Sequence, residues 1–176
     1  MRLDEWREEP ISKHHLRAAF DCGDDDPNTY LRRFARQNHE RGGAKTFVAV
    51  SESDGVTILG YYSLSPASIA FEAPPAIIQR NLGRYDVPVF RLGRLAVDRS
   101  QQGHSLGGAL LLAAGRRCLR VASEVGGVAL LIDAKNDRVT AWYARFGAVP
   151  LSDAALSLVL PLDTMRQALV DAGHEL

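Results

Sequence analysis

The chain has 176 residues, and its 21 Lys and Arg balance 21 Asp and Glu, giving a formal net charge of zero. With 46% hydrophobic and 24% charged residues, one globular domain over residues 1–176 is expected, and disordered or fibrous chains are excluded. No apolar run approaches the roughly 18 residues a membrane helix needs, and the charged start MRLDEWREE is no secretory signal, so a cytoplasmic protein without membrane contact is expected.

Residues 13–20 (KHHLRAAF) read as a short helix that Ser12 caps and Cys22-Gly23 ends. The run DDDPNTYLRRFARQNHERGG reads as a second helix, with Asp26 as N-cap, Pro27 at the first helical position and Gly42 at the stop. Tyr30, Leu31, Phe34 and Ala35 form its apolar stripe and leave Arg32, Arg33, Arg36 and Glu40 outside. His14, His15 and His39 lack HxxxH or HExxH spacing, so surface histidines and no metal site are expected. Cys22 and Cys118 make no disulfide or metal framework and read as free thiols.

Residues 46–50 (TFVAV) and 57–64 (TILGYYSL) are strand-like and are joined by SESDG, a hairpin-type connection. Residues 65–88 hold Pro66, Pro74, Pro75 and Pro88 with little periodicity. They read as an irregular excursion of the kind that often faces substrate. Val89-Phe90 and Leu95-Ala96-Val97 then carry strand character, Asp98 to Gln102 is polar, and Gly103, Gly107 and Gly108 let backbone approach a ligand closely. Leu106, Leu110, Leu111, Ala114 and Val121 recur at helical spacing, so loop N–H groups and a helix N-terminus share one place, where an anion needs few side chains. VALLIDA (128–134) reads as a buried strand, 138–146 as a short helix stopped by Gly147, 156–162 as a last strand and 163–172 as a C-terminal helix.

The 102–108 loop is neither a Walker A, lacking a Lys-Ser/Thr pair, nor a dinucleotide fingerprint. It resembles the acyl-CoA pyrophosphate loop of the GNAT acetyltransferases, Gln/Arg-x-x-Gly-x-Gly/Ala, which falls on Gln102, Ser105 and Gly107. Ser105 stands where that family has its first glycine. If the position needs a positive φ, serine is strained there by about 1 kcal/mol or somewhat more. Two helices, two or three antiparallel strands, then strand, helix, strand, helix, strand is the GNAT order. The resemblance therefore implies an α/β (α+β) fold with a mixed, mostly antiparallel sheet flanked by helices. Four blocks together resemble the TacT-type toxins of toxin–antitoxin pairs: FDCG with TYLRRFARQ; TFVAV with GYYSLS; VPVFRLGRLAVDRSQQGHSLGGALL; and IDAKN with AWYARFGA. Ala148 replaces the aromatic usually found after Phe-Gly.

Such toxins acetylate the amino group of aminoacyl-tRNA with acetyl-CoA and stop translation. An α-amino group has a pKa near 8, so a strong base is not required; Asp98 and Asp133, each at a strand end, read equally as structural. The step still needs a proton donor for the leaving thiolate and donors for the developing oxyanion. The resemblance makes Tyr143 that donor, and its place on the helix after the 128–134 strand agrees; a core aromatic in the Trp142, Tyr143, Phe146 cluster is the alternative. It also implies that Leu95 and Val97 present backbone to the pantetheine arm and thioester, and that Gln102, Gly103, Ser105, Gly107 and Gly108 hold the pyrophosphate. Asn136 is either a cofactor-arm contact or the cap of the next helix.

Of the 21 basic residues, 18 are arginine, the side chain suited to bidentate phosphate contacts. Arg91 and Arg94 are expected to touch tRNA, with Arg32, Arg33, Arg36 and Lys45 as a more distant basic face; salt bridges are the alternative. Arg41, Arg80, Arg84 and Arg99 join these basic clusters, whereas acidic residues gather at 4–9 and 21–26. The resemblance further implies a ribbon-helix-helix antitoxin, operator DNA bound only through that antitoxin, and a homodimer. Two other readings remain: an acetyltransferase of a small or protein amine, which needs no basic face, and a non-catalytic binding protein of the same fold.

Overall fold

Residues 45–51 show how the sheet begins: six of the seven side chains of KTFVAVS are buried, a run that only a strand covered on both faces sustains. The computed structural model describes residues 5–70, 77 and 85–175. Its strands are β1 (Trp6–Pro10), β2 (Lys45–Ser51), β3 (Ile58–Ile69), β4 (Val87–Val97), β5 (Ala129–Asp133), β6 (Val149–Leu151) and β7 (Ala154–Pro161). The helices are α1 (Asp25–Thr29), α2 (Ala35–Arg41), α3 (Leu106–Val125), α4 (Asp137–Ala144) and α5 (Leu162–Asp171), with a π-helical turn at Tyr30–Phe34 between α1 and α2. The seven strands form one sheet in the order β1-β2-β3-β4-β5-β7-β6, mostly antiparallel, with β4 and β5 parallel. By contacts the chain forms two compact units, Met1–Ser65 with Gly93–Leu111, and Pro66–Leu92 with Leu112–Leu176. The chain passes between them within β3, β4 and α3.

In the first unit β1 and β2 pair antiparallel, Trp6 with Ser51 through Pro10 with Phe47, and β2 pairs with β3. The connection between β2 and β3 is the expected hairpin. Asp54 Oδ1 accepts the Val56 and Thr57 N–H groups, both at 2.9 Å, and the hydrogen bond from the Thr57 hydroxyl helps hold its carboxyl down to about 2. Ile11, Phe20, Tyr30, Leu31, Ala35, Val48, Val50, Ile58, Tyr61 and Ala96 form the core here. Tyr61 packs edge to face on Phe20, with ring centroids 5.6 Å apart, and donates its hydroxyl to the Pro27 carbonyl at 2.7 Å. Gly60 has no room for a side chain: a Cβ would lie 2.8 Å from Leu110 Cδ1 and 3.0 Å from the Ala96 carbonyl oxygen. The first turns of α3 therefore sit directly on the sheet backbone.

In the second unit β5 pairs parallel to β4 at Phe90–Leu130, Arg91–Leu131 and Leu92–Ile132, and antiparallel to β7. Ile69, Val87, Val89, Ala129, Leu131 and Val159 form a cluster there. Gly115 lets α3 approach α5, since a Cβ would lie 2.2 Å from Met165 Cγ.

Several expectations are corrected. Residues 13–20 form turns rather than a helix, because Leu16 pairs with Thr57 and its N–H donates to Val56 O at 2.9 Å. His15 is buried rather than on the surface: its Nδ1 accepts the Ser12 N–H at 3.0 Å, a local bond that competes with helix. The N-cap of the next helix is Asp24, whose side chain accepts the Asp26 N–H, two residues before the expected Asp26. Its end is as expected, with Gly42 left-handed at φ 78°. Strand β3 runs through Pro66 to Ile69, so the irregular excursion begins later; most of it, with Arg80 and Arg84, lies outside the described residues. The buried stripe of α3 continues from Ala114 to Cys118 and on to the half-buried Ala122, leaving Val121 40% exposed, because four residues separate successive turns on that face. Strands β1 and β6 were not anticipated.

Candidate active site

The strand-to-helix junction of the first unit is built from backbone. Leu95 and Val97 are half-buried at the end of β4. Asp98 then starts a 3-10 turn (Arg99–Gln101), its Oδ1 accepting the Ser100 N–H at 3.0 Å and its Oδ2 the Asp21 N–H at 2.9 Å. Both bonds make Asp98 structural. Gln102, Gly103 and Ser105 are exposed, whereas Gln101 and Leu106 on either side are buried and anchor the loop. Gly103 has φ 80°, and Ser105, with φ 68°, stands alone among the described non-glycine residues in the left-handed region. The strain foreseen for serine at that position is therefore present.

The Ser105 carbonyl accepts the Ala109 N–H at 3.2 Å, so α3 starts immediately after the exposed loop, with Gly107 and Gly108 in its first turn. The backbone amides at the N-terminus of a 20-residue helix, next to the exposed Gln102, Gly103 and Ser105, form a positive, anion-accepting end. That surface could hold a pyrophosphate; the Gln102 side chain itself is engaged within the protein, its Nε2 donating to the carbonyls of Val97 and Cys22.

The basic residues prove to be extensively engaged. The Arg94 guanidinium lies 3.9 Å from the Tyr30 ring centroid, in cation–π contact, and its Nε is 3.5 Å from Asp26 Oδ2. Arg32 donates to the Phe20 carbonyl at 2.8 Å, Arg36 pairs with Glu40 at 2.9 Å, and Lys45 donates to the His39 carbonyl at 2.9 Å. Arg33 is exposed. In the second unit Arg91 pairs with Asp133, whose other oxygen accepts the Ser157 hydroxyl at 2.8 Å. Asp133 is thereby structural too, and for Arg91 and Arg94 the salt-bridge alternative describes the free protein.

Asn136 caps α4, its side chain accepting the Val139 N–H at 3.0 Å, so the capping alternative is realised. Tyr143, one residue from the end of α4, is buried and edge-on to Trp142 with centroids 4.9 Å apart; Trp142 also meets Phe146. Burial pushes the Tyr143 hydroxyl pKa upward, so it carries its proton throughout the physiological range.

Two groups escaped the sequence reading. One is the network linking Asp21, Cys22, Asn28 and Asp98, whose signal was the Asp- and Asn-rich run from 21 to 28. The other brings ligand atoms of Glu9, His14 and His15 within 4.8 Å of one another. Because the Ser12 N–H uses the lone pair on His15 Nδ1, His15 keeps its proton on Nε2, which donates to Glu9 Oε2 at 2.7 Å. That hydrogen bond chiefly holds the Glu9 carboxyl below its usual range, and a metal would have to displace the proton.

The sequence matches the acetyltransferase (GNAT) family over residues 3–148. It is 35% identical over 153 residues to a tRNA-acetylating toxin of Mycobacterium tuberculosis, covering 87% of this chain and 90% of the relative. Among solved structures, a tyrosine-to-phenylalanine mutant of KacT is 27% identical, with a TM-score of 0.86 over 94% of this chain and 99% of that one. The KacTA–DNA complex contains a chain that is 28% identical, with a TM-score of 0.79 over 95% and 99%. With strand order, helix-seated loop and sequence in agreement, the chain belongs to the GNAT family of acetyltransferases.

Proposed function

We infer that this protein is the toxin of a toxin–antitoxin pair, an N-acetyltransferase that moves the acetyl group of acetyl-CoA to the α-amino group of aminoacyl-tRNA and so inhibits translation. The observation that carries this reading is the match, across nearly its whole length, to a tRNA-acetylating toxin. The loop 102–108 at the start of α3 is the pyrophosphate site, with Leu95 and Val97 beside the acyl arm. The neutral amine attacks the thioester carbonyl; the C–N bond forms, the C–S bond breaks, and the amine's proton passes to water. Tyr143 supplies a hydroxyl to the leaving sulfur. A thiol near pKa 8.5 is a stronger acid than a phenol near 10, and burial raises the phenol further. Hydrogen-bond donation to the sulfur is therefore its favoured role, ahead of complete proton transfer.

Arg91, Arg94 and Arg33 are the cations we assign to tRNA, Arg94 being held over the Tyr30 ring. The internal bonds of Arg32, Arg36 and Lys45 weaken the distant basic face and favour, as second reading, a small or protein amine. An antitoxin partner of ribbon-helix-helix type, operator DNA bound through it, a homodimer and a cytoplasmic location complete the proposal on the family resemblance. Among the described residues no helix is long and apolar enough to cross a membrane.

Labelled acetyl-CoA incubated with a pool of charged tRNAs tests the reading. Label on the amino acid of a charged tRNA is expected, and is lost in Tyr143→Phe. Label that reaches only free amines or protein would transfer the assignment to the second reading.

A further inference from the structure

Gln102 is exposed, yet both N–H groups of its side chain are engaged within the protein. They donate to the Val97 carbonyl and to the Cys22 carbonyl, each at 2.9 Å. The first bond closes the loop on its own strand. The second reaches a partner 80 residues away in sequence, in the strap 21–24 that leads into α1. Around it, Asp98 Oδ2 accepts the Asp21 N–H at 2.9 Å and the Arg99 N–H donates to the Asp21 carbonyl at 2.9 Å. Asn28 Oδ1 accepts the Cys22 N–H at 2.9 Å, and Asp21 Oδ1 accepts the Gly23 N–H at 2.8 Å. Three consecutive strap amides are thus held, and the next residue, Asp24, caps α1.

We propose that Gln102 is a positioning residue that locks the loop 102–108 to the strap 21–24, so that filling the loop with acyl-CoA also fixes the start of α1. This rests on the reading of that loop as the pyrophosphate site. With its donors engaged on backbone carbonyls, the side chain acts on an anion through the amides it aims. Between the buried anchors Gln101 and Leu106 the loop is polar and carries two left-handed residues, so its aim depends on such a tie. A ligand that stiffens the loop stiffens the strap through the same bonds, which couples the acyl donor to α1 and, beyond it, to the π-helical turn bearing Arg32 and Arg33.

Hydrogen exchange read by mass spectrometry, with and without acetyl-CoA, tests this in the wild type, Gln102→Met and Gln102→Lys, each checked for an unchanged fold by its Tm. In the wild type, acetyl-CoA is expected to slow exchange in both 102–108 and 21–24. Gln102→Met matches the length but cannot donate; the strap response is expected to vanish while the loop response persists, and KM for acetyl-CoA to rise about tenfold with kcat little changed. Gln102→Lys keeps N–H donors at similar reach and is expected to restore the strap response. A wild-type strap that ignores acetyl-CoA while the loop responds would overturn the lock alone, as would a strap response that survives in Gln102→Met or stays absent in Gln102→Lys. A raised KM in Gln102→Met with an intact strap response would mean direct contact with the cofactor. No response at 102–108 in the wild type would overturn the pyrophosphate reading and the lock with it.

Discussion

The loop 102–108 and the end of α4, the two regions we propose for cofactor binding and catalysis, represent two ways of building a functional group. The loop offers main-chain amides at a helix start, and its side chains matter through the conformation they permit or fix: Gly103 and Ser105 by left-handed φ, Gln102 by its bonds to Val97 and Cys22. The end of α4 offers one side chain, Tyr143, held by burial against Trp142. A backbone-built site should degrade gradually under substitution, because several amides share the ligand. A site built on one hydroxyl should fail in a single step.

The sharpest contrast comes from Tyr143→Phe, which removes the hydroxyl and keeps the ring. We expect kcat to fall about 10²-fold with acetyl-CoA affinity unchanged; a fall confined to affinity would erase the distinction. Gly60→Val attacks the other region from beneath, because the new side chain meets Leu110 and the Ala96 carbonyl where α3 is seated. A loss of about 1–3 kcal/mol in urea unfolding is expected, together with weaker acetyl-CoA binding in calorimetry and an intact kcat at saturation.

Ser105→Gly should relieve the left-handed strain and gain about 1 kcal/mol of stability, a rise of about 2–4 °C in Tm. No gain would mean that the serine hydroxyl offsets the strain. The smallest effect is expected away from both regions, at the β2–β3 hairpin. The Asp54 carboxyl has its pKa lowered to about 2 by bonds from Thr57 and Val56. Its contribution is therefore complete above its unfolded pKa, near 3.9, and fades as pH falls through about 2. The difference in urea midpoint between wild type and Asp54→Asn should be complete at pH 6, much smaller near pH 2 and absent only well below it.

Long periodic segments and turn residues were legible from the chain: α3 from its leucine spacing, β2 and β5 from continuous apolar runs, the Gly42 stop and the hairpin at Asp54. The strained Ser105 was legible as well, because a serine in a glycine position carries a steric cost whatever surrounds it. Short elements were not. KHHLRAAF has ordinary helical spacing, but Leu16 pairing with Thr57 and the bond from Ser12 to His15 outweigh a helix of two turns, which is marginal by itself. Strands β1 and β6 have too few residues to show a period, and pairing along β2 and β7 makes them strands.

Local sequence by itself therefore determined the elements whose patterns repeat and the backbone positions that need a particular φ. It also supplied the motif blocks that place the chain among the GNAT acetyltransferases. Tertiary structure alone decided which polar side chains are already engaged. Arg91 with Asp133, Arg94 on Tyr30, Gln102 with Cys22 and His15 with Glu9 each join residues from different segments. Hydrogen bonds and ion pairs act over a few ångströms in space and have no period along the chain.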